Sequence, residues 1–252
     1  MAAVTDGDKW LRRFRPAAGT GPRLVCFPHA GGAASFYRGV AKRLAPAAEV
    51  LAVQYPGRQD RLSEPMIPDV QGMAERVAEI LASTFDEPPA LFGHSMGASV
   101  AFETARLLDK QGLGVSAVIV SGRRAPRSPL AHRPVGNDKE LIAAAKALGG
   151  PGPEVLDHPE IAELVLPALR NDWHAAATYT YREGPDLTCP LVALSGDADP
   201  AVDLGQLDRW AEHTTGPYTR HVYPGDHFYL AEPEVEAEIC RVLAETLTAA
   251  GR

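Results

Sequence analysis

The sequence predicts an α/β fold: a mostly parallel central sheet, helices on both faces, and a helical insertion over one sheet edge. Three observations predict it. Apolar strand-like runs alternate with helical patterns along the chain, the arrangement that a parallel sheet covered on both faces requires. The run Pro89-Ala90-Leu91-Phe92 leads straight into Gly93-His94-Ser95-Met96-Gly97 and then into a helical pattern over 98–108, which is a strand, a sharp turn and a helix. Finally, the stretch between the strand ending near Ser121 and the strand starting near Pro190 breaks the alternation and carries helical patterns alone.

Short apolar runs mark the strands and apolar residues at helical spacing mark the helices. An edge strand is expected at 10–14. The first central strand lies at 24–28, followed by a helix at 35–44, a strand at 50–55 and a helix at 70–85. After the strand ending at Gly93 and the helix behind Ser95 come strands at 115–120 and 190–194. A helix at 202–213, a strand at 218–223 and a closing helix at 234–247 complete the set.

The chain of 252 residues reads as a single domain, 1–252, with the insertion at 123–186. The insertion opens with Arg123-Arg124-Ala125-Pro126-Arg127-Ser128-Pro129 and continues with helical patterns at 138–148, 159–169 and 171–179. A structureless loop of that length is at odds with a compact domain. Because the insertion leaves the sheet just after the strand that follows the serine helix, it can lie over Ser95 as a lid. Leu164, Leu166 and Leu169 supply apolar surface for it.

Composition excludes several function classes. The formal net charge of −7 argues against nonspecific nucleic-acid binding, which needs many Lys and Arg phosphate contacts. There is no glycine loop followed by Lys-Ser or Lys-Thr to cradle a phosphate, and no Cys/His spacing for zinc. No cofactor and no metal are expected. No apolar run reaches the length of a membrane span, and the N-terminus is polar and acidic without a signal-peptide core. Cys26, Cys189 and Cys240 are odd in number and widely spaced, and the first two lie in or beside strand-like runs, so buried reduced thiols are expected. The expectation is a cytoplasmic monomer that contacts neither membrane nor nucleic acid.

The Gly-x-Ser-x-Gly turn forces Ser95 into a strained backbone conformation, and small residues two positions to each side let strand and helix pass closely. A serine hydroxyl needs a base within hydrogen-bond reach, and the base needs a third group to orient it. In folds built on such an elbow the partners follow in the order serine, acid, histidine. His213, His221 and His227 lie late enough. His213 falls at a helix end and His221 within the last strand, whereas His227 lies in the turn just past that strand, so His227 is the expected base. The acid should come from Ser195-Gly196-Asp197-Ala198-Asp199-Pro200. Spacing favours Asp199 modestly, with Asp197 as a turn-former. The expected oxyanion donors are the backbone amides of Met96, next to the nucleophile, and of Ala30 in Phe27-Pro28-His29-Ala30-Gly31-Gly32. His29 and His94 flank the site as structural residues. His29, Phe228 and Trp173 are candidates to line a substrate pocket, although aromatic residues such as Phe228 and Trp173 in such segments are usually ordinary packing.

Taken together, five strings resemble the type II thioesterases, free-standing α/β-hydrolases that accompany modular polyketide and nonribosomal peptide synthases. They are Phe27-Pro28-His29-Ala30-Gly31-Gly32, Tyr55-Pro56-Gly57-Arg58 with Arg61, the serine elbow, Gly196 with Asp199-Pro200, and Gly225-Asp226-His227-Phe228. The resemblance implies the α/β-hydrolase fold and assigns the acid to Asp199. It implies as substrate an acyl group on the phosphopantetheine arm of an acyl or peptidyl carrier protein, removed from a stalled synthase. Asp226 stands where the family often has glycine and is expected to face solvent. Arg58 and Arg61 either meet the pantetheine phosphate or pair with acids such as Asp60 and Glu64. Arg123, Arg124, Arg127 and Arg133 form a basic cluster, either a solvated connection or a surface that steers an acidic carrier protein. Two other functions compete: a general serine esterase or lipase acting on free small molecules, and a non-catalytic hydrolase-fold binding protein. The start of the chain just ahead of its first strand suits a free-standing protein rather than a domain cut from a synthase.

Overall fold

The computed structural model describes residues 6–15, 21–128, 135–149 and 156–250. Strands β1 (Leu11–Arg13), β2 (Arg23–Phe27), β3 (Glu49–Val53), β4 (Ala90–His94), β5 (Ala117–Ser121), β6 (Leu191–Gly196) and β7 (Tyr218–Tyr223) form one sheet in the order 1-3-2-4-5-6-7. Strand β1 pairs antiparallel with β3, and the remaining neighbours pair in parallel. The helices are α1 (Asp6–Trp10), α2 (Arg38–Leu44), α3 (Val70–Thr84), α4 (Met96–Gln111), α5 (Asp138–Ala147), α6 (Pro159–Thr178), α7 (Leu204–Asp208) and α8 (Pro233–Ala250).

The period of two along each strand divides the core. Val25, Phe27, Leu51, Val53, Leu91, Val118 and Val120 pack on one face with Met73, Val77 and Leu81 of α3 and Val100 and Phe102 of α4. Leu24, Cys26, Val50, Ala52, Phe92 and Ile119 pack on the other face with Val40 and Leu44 of α2 and Ile239, Leu243 and Leu247 of α8. Burying each large apolar side chain contributes about 1.5–3 kcal/mol, which is why these strands read as unbroken apolar runs. Local signals set the helix ends. The Asp69 carboxylate accepts from the Gly72 amide at the start of α3, and Gly112, at φ 85°, closes α4. All three cysteines are buried free thiols, including Cys240, whose helix gave less indication of burial.

Several elements depart from the sequence reading. The edge strand is preceded by α1, which buries Trp10. The helix expected at 35–44 begins as a 3-10 turn, Ala34–Tyr37, before becoming α2. The helix expected at 202–213 is α7 followed by a 3-10 segment, Arg209–His213, that buries Trp210 and His213. The two helices expected at 159–169 and 171–179 are the single helix α6, which runs through Pro167. Pro167 has no N–H to bond the Glu163 carbonyl, and both residues lie on the exposed side of α6. The insertion carries a small cluster of its own, with Leu141 against Trp173 and Ala177.

Parallel pairing brings the carboxyl ends of six strands to one rim. Phe27 lies beside Gly93, His94 beside Ser121, and Gly196 beside Tyr223. The turns that follow these strands all open on that rim, where ligands meet parallel sheets.

Candidate active site

Ser95 occupies the apex between β4 and α4 with φ 54° and ψ −120°, a conformation costly for any residue other than glycine. The elbow is possible because strand and helix touch. A Cβ on Gly93 would lie 2.2 Å from the Gly97 carbonyl oxygen, and one on Gly97 would lie 2.1 Å from that of Phe27. The Ser95 amide donates to Ser121 O at 2.8 Å and ties the elbow to β5. Met96 opens α4, and a first-turn amide has no intrahelical acceptor, so the peptide N–H beside Ser95 is available to an anion.

The structure brings Ser95, His227 and Asp199 into one hydrogen-bonded chain. Ser95 Oγ lies 2.9 Å from His227 Nε2, and His227 Nδ1 lies 2.8 Å from Asp199 Oδ2. Asp199 Oδ1 accepts from the Ala201 amide at 2.8 Å, which fixes the carboxylate. An Nδ1–H donated to Asp199 leaves Nε2 as a lone pair aimed at the serine hydroxyl, the geometry of a general base. Asp197 takes the other role weighed from the sequence: its Oδ1 accepts from the Gly225 amide and joins the two turns that carry Asp199 and His227. Asp226 is half-buried and accepts from the Phe228 amide at 2.7 Å, so it caps its own turn instead of facing solvent.

Aromatic side chains wall His227 in. Phe228 stands edge-on to His227 and His29, and His94 lies 5.0 Å from His227 between ring centroids. His94 Nδ1 is 2.9 Å from Ser121 Oγ, which is 2.7 Å from the Tyr229 hydroxyl. Burial, then the neighbouring His227 and His29, hold His94 well below the usual imidazole range. Burial, then His227 and Arg58, push His29 down to about 3. Both rings are therefore neutral at physiological pH and present no cation beside the base. Other predicted pocket and contact residues lie elsewhere. Trp173 packs inside the insertion against Leu141 and Ala177, and the cavity of about 410 Å³ that it borders is lined by Met66, Val135, Pro167, Arg170, Asn171 and His174, without a residue of the Ser95 chain.

The arginines also separate. Arg123 is 8% exposed, and its guanidinium donates to Ser99 Oγ and to Ala176 O, so it bolts α6 to the core and cannot meet a partner protein. Arg124 is half-buried and donates to Ala201 O. Arg127 is exposed, pairs with Glu183 and lies over the Tyr181 ring. Arg133 lies outside the described residues. Arg61 donates to Gln54 O, pairs with Glu64 and covers Trp10. Arg58 pairs with neither Asp60 nor Glu64 but with Asp172 of α6, at 2.6 Å. Both arginines are held in structural bonds, which removes them as phosphate ligands.

Asp172 is the residue that the sequence reading missed. It is fully buried, and its Oδ2 accepts from the Gly31 amide at 2.9 Å as well as from Arg58. A signal was present: Asp172 falls among Ala168, Leu169, Trp173, Ala175 and Ala176, a charge on the apolar face of its helix.

The thioesterase-domain family matches residues 22–247. The chain is 46% identical over 247 residues to a probable cadicidin biosynthesis thioesterase of Streptomyces griseus, covering 95% of this chain and 68% of that protein. It is 44% identical over 247 residues to thioesterase PikA5 of Streptomyces venezuelae, covering 96% and 86%. Among solved structures it resembles the type II thioesterase BorB from the borrelidin biosynthetic cluster, with TM-score 0.88 and 45% identity, covering 96% of this chain and 99% of that one.

Proposed function

This chain belongs to the thioesterase-domain family, and we propose that it is a free-standing editing thioesterase that clears acyl groups from the phosphopantetheine arms of carrier proteins in polyketide or nonribosomal peptide synthases. The single observation that carries this reading is the hydrogen-bonded chain from Ser95 through His227 to Asp199. The kinship with biosynthetic thioesterases, among them the type II thioesterase BorB, supports the substrate class and the editing role. Among the described residues no helix is long and apolar enough to cross a membrane. Three buried free thiols suit a reducing compartment, and we assign the reaction to the cytoplasm.

In this mechanism Ser95 Oγ attacks the thioester carbonyl while His227 Nε2 takes its proton. The tetrahedral oxyanion is held by the amides of Ala30 and Met96, each contributing about 3–4 kcal/mol. The C–S bond breaks, the pantetheine sulfur leaves with the proton from His227, and the acyl group remains on Ser95. Water then attacks the acyl-serine with His227 as base, releasing a carboxylic acid and restoring the hydroxyl. Asp199 holds the imidazole tautomer and stabilises the imidazolium formed in each half-reaction. His29 and Phe228 line the approach to the carbonyl, the insertion covers the site as a lid, and Arg127, the exposed arginine among the described residues of the basic cluster, attracts an acidic carrier protein.

The test compares kcat/KM for acyl-carrier proteins with that for simple esters of the same acyl groups. The reading predicts a clear preference for the carrier-bound thioester. A preference for the free ester would replace it with a general esterase.

A further inference from the structure

We propose that the buried Arg58–Asp172 pair is a positioning device for the Ala30 amide, so that oxyanion binding depends on the docking of α6. The inference rests on the thioesterase reading and names what that site needs from the insertion. Three segments meet at the pair: the turn after β2, the loop after β3 that carries Arg58, and α6.

The turn is gripped from two sides. Gly32 N donates to His29 O at 2.9 Å, and Gly31 has φ 73°, the third-position conformation of a type II turn. Asp172 Oδ2 accepts from the Gly31 amide, and Arg58 Nη1 donates to Gly32 O at 3.0 Å. The same Nη1 donates to Asp172 Oδ2 at 2.6 Å, while Nη2 donates to Oδ1 at 3.0 Å, a two-pronged contact. Arg58 is anchored in turn by Pro56 O, and Asp172 by the Asn171 side chain. Leu169 of α6 covers the place where a Gly31 side chain would be.

Ala30 is the residue between His29 and Gly31, so fixing Gly31 and Gly32 fixes the direction of its N–H. Burying two opposite charges gains little net stability, because desolvation offsets their attraction. What the pair provides is orientation: a planar fork and a carboxylate bind the two faces of one turn at defined angles. If α6 lifts, Asp172 leaves with it, the Gly31 amide loses its acceptor and Arg58 is left as an uncompensated charge. The turn is then free to pivot away from Ser95, and one of the two oxyanion donors is lost.

The experiment uses Asp172→Asn and Arg58→Lys in the full chain, with Leu247→Ala, in α8 on the other face of the sheet, as a control that lowers stability without touching α6 or the turn. Readouts are kcat and KM on an acyl-carrier protein, affinity for a trifluoromethyl ketone that forms an oxyanion on Ser95, the rate of Ser95 labelling by a fluorophosphonate, and Tm. Asp172→Asn should lower kcat 10- to 100-fold with KM within threefold of wild type. Ketone affinity should fall in step, and the pH profile of kcat/KM should keep its acid limb. Arg58→Lys should show the same pattern more mildly, and it carries the test if Asp172→Asn does not fold. Leu247→Ala should lower Tm and leave kcat within threefold. An unchanged kcat in both pair variants, a kcat loss without the ketone loss, or an equal kcat loss in Leu247→Ala would overturn the proposal. A wild-type protein that neither reacts with the fluorophosphonate nor turns over would instead overturn the thioesterase reading beneath it.

Discussion

Two turns open on the rim that carries Ser95, and they are held in opposite ways. The elbow at Ser95 is made by its own neighbours: Gly93 and Gly97 permit the contact between strand and helix, and β4 and α4 fix the two sides. The turn at 29–32 is held by a carboxylate 141 residues from Gly31 and a guanidinium 26 residues from Gly32. One turn is rigid wherever the sheet forms. The other is complete only when a distant helix is docked. In the proposed mechanism, positioning from outside makes one of the two oxyanion donors conditional on the insertion.

The largest effect should come from the elbow itself. Ser95→Ala should reduce turnover by about 10⁴- to 10⁶-fold while leaving Tm within a few degrees, as read by single-turnover assays and calorimetry. Gly97→Ala should break the elbow by packing: its Cβ would meet Phe27 O at 2.1 Å and Pro28 O at 2.6 Å, forcing β2 and its turn apart. Loss of soluble folded protein, or a kcat loss above about 100-fold of the kind a 1 Å misplacement gives, is expected. Near-normal activity would show that the elbow is less constrained than its geometry implies. The variants of the Arg58–Asp172 pair rank next.

The contrast also explains what could be read from the chain. The elbow, the succession of strands and helices along the chain, and the choice of Ser95 and His227 are legible because each rests on local text: an apolar run, a glycine at a fixed offset, a turn after a strand. Spacing favours Asp199 over Asp197 only modestly, and it is the family resemblance that assigns the acid to Asp199. Asp197 and Asp199 are two residues apart with the same side chain, and their division into turn-former and partner of His227 is made by the turn at 225–227. Arg58 and Arg123 read as surface cations because their acceptors, Asp172 and Ala176 O, belong to a helix more than fifty residues further along, as the separations of 114 and 53 record. The two helices expected at 159–169 and 171–179 are one because the apolar face of α6 continues past Arg170 through Trp173 and Ala177.

Smaller effects sharpen the account of how α6 is held. Arg123→Ala should cost roughly 3 kcal/mol, from a cavity and from the unpaired Ser99 hydroxyl and Ala176 carbonyl, measured by urea unfolding. The salt dependence of the rate on a carrier protein should not change. A stable variant with an altered salt dependence would place Arg123 at the surface and contradict its burial.

The smallest effect is a pH slope in stability. Burial, with the nearby Arg127, pushes His213 down to about 4, and His29 and His94 are likewise kept neutral in the fold. The unfolded chain binds protons at these sites below about pH 6.5 and the folded one does not, so stability falls as pH drops from 6.5 towards 4. The slope is up to about 1.4 kcal/mol per pH unit for each histidine. His213→Phe, among Phe102, Tyr181 and Trp210, should remove about one proton from the slope, measured by unfolding at pH 7, 6 and 5. An unchanged slope would mean that His213 titrates freely in the folded state.

Rapid-quench mass spectrometry with an acylated carrier protein is the most direct test of the whole. The account predicts an acyl adduct on the peptide containing Ser95 within one turnover, absent in Ser95→Ala and formed 10- to 100-fold more slowly in Asp172→Asn. Hydrolysis that proceeds without any adduct on Ser95 would contradict it.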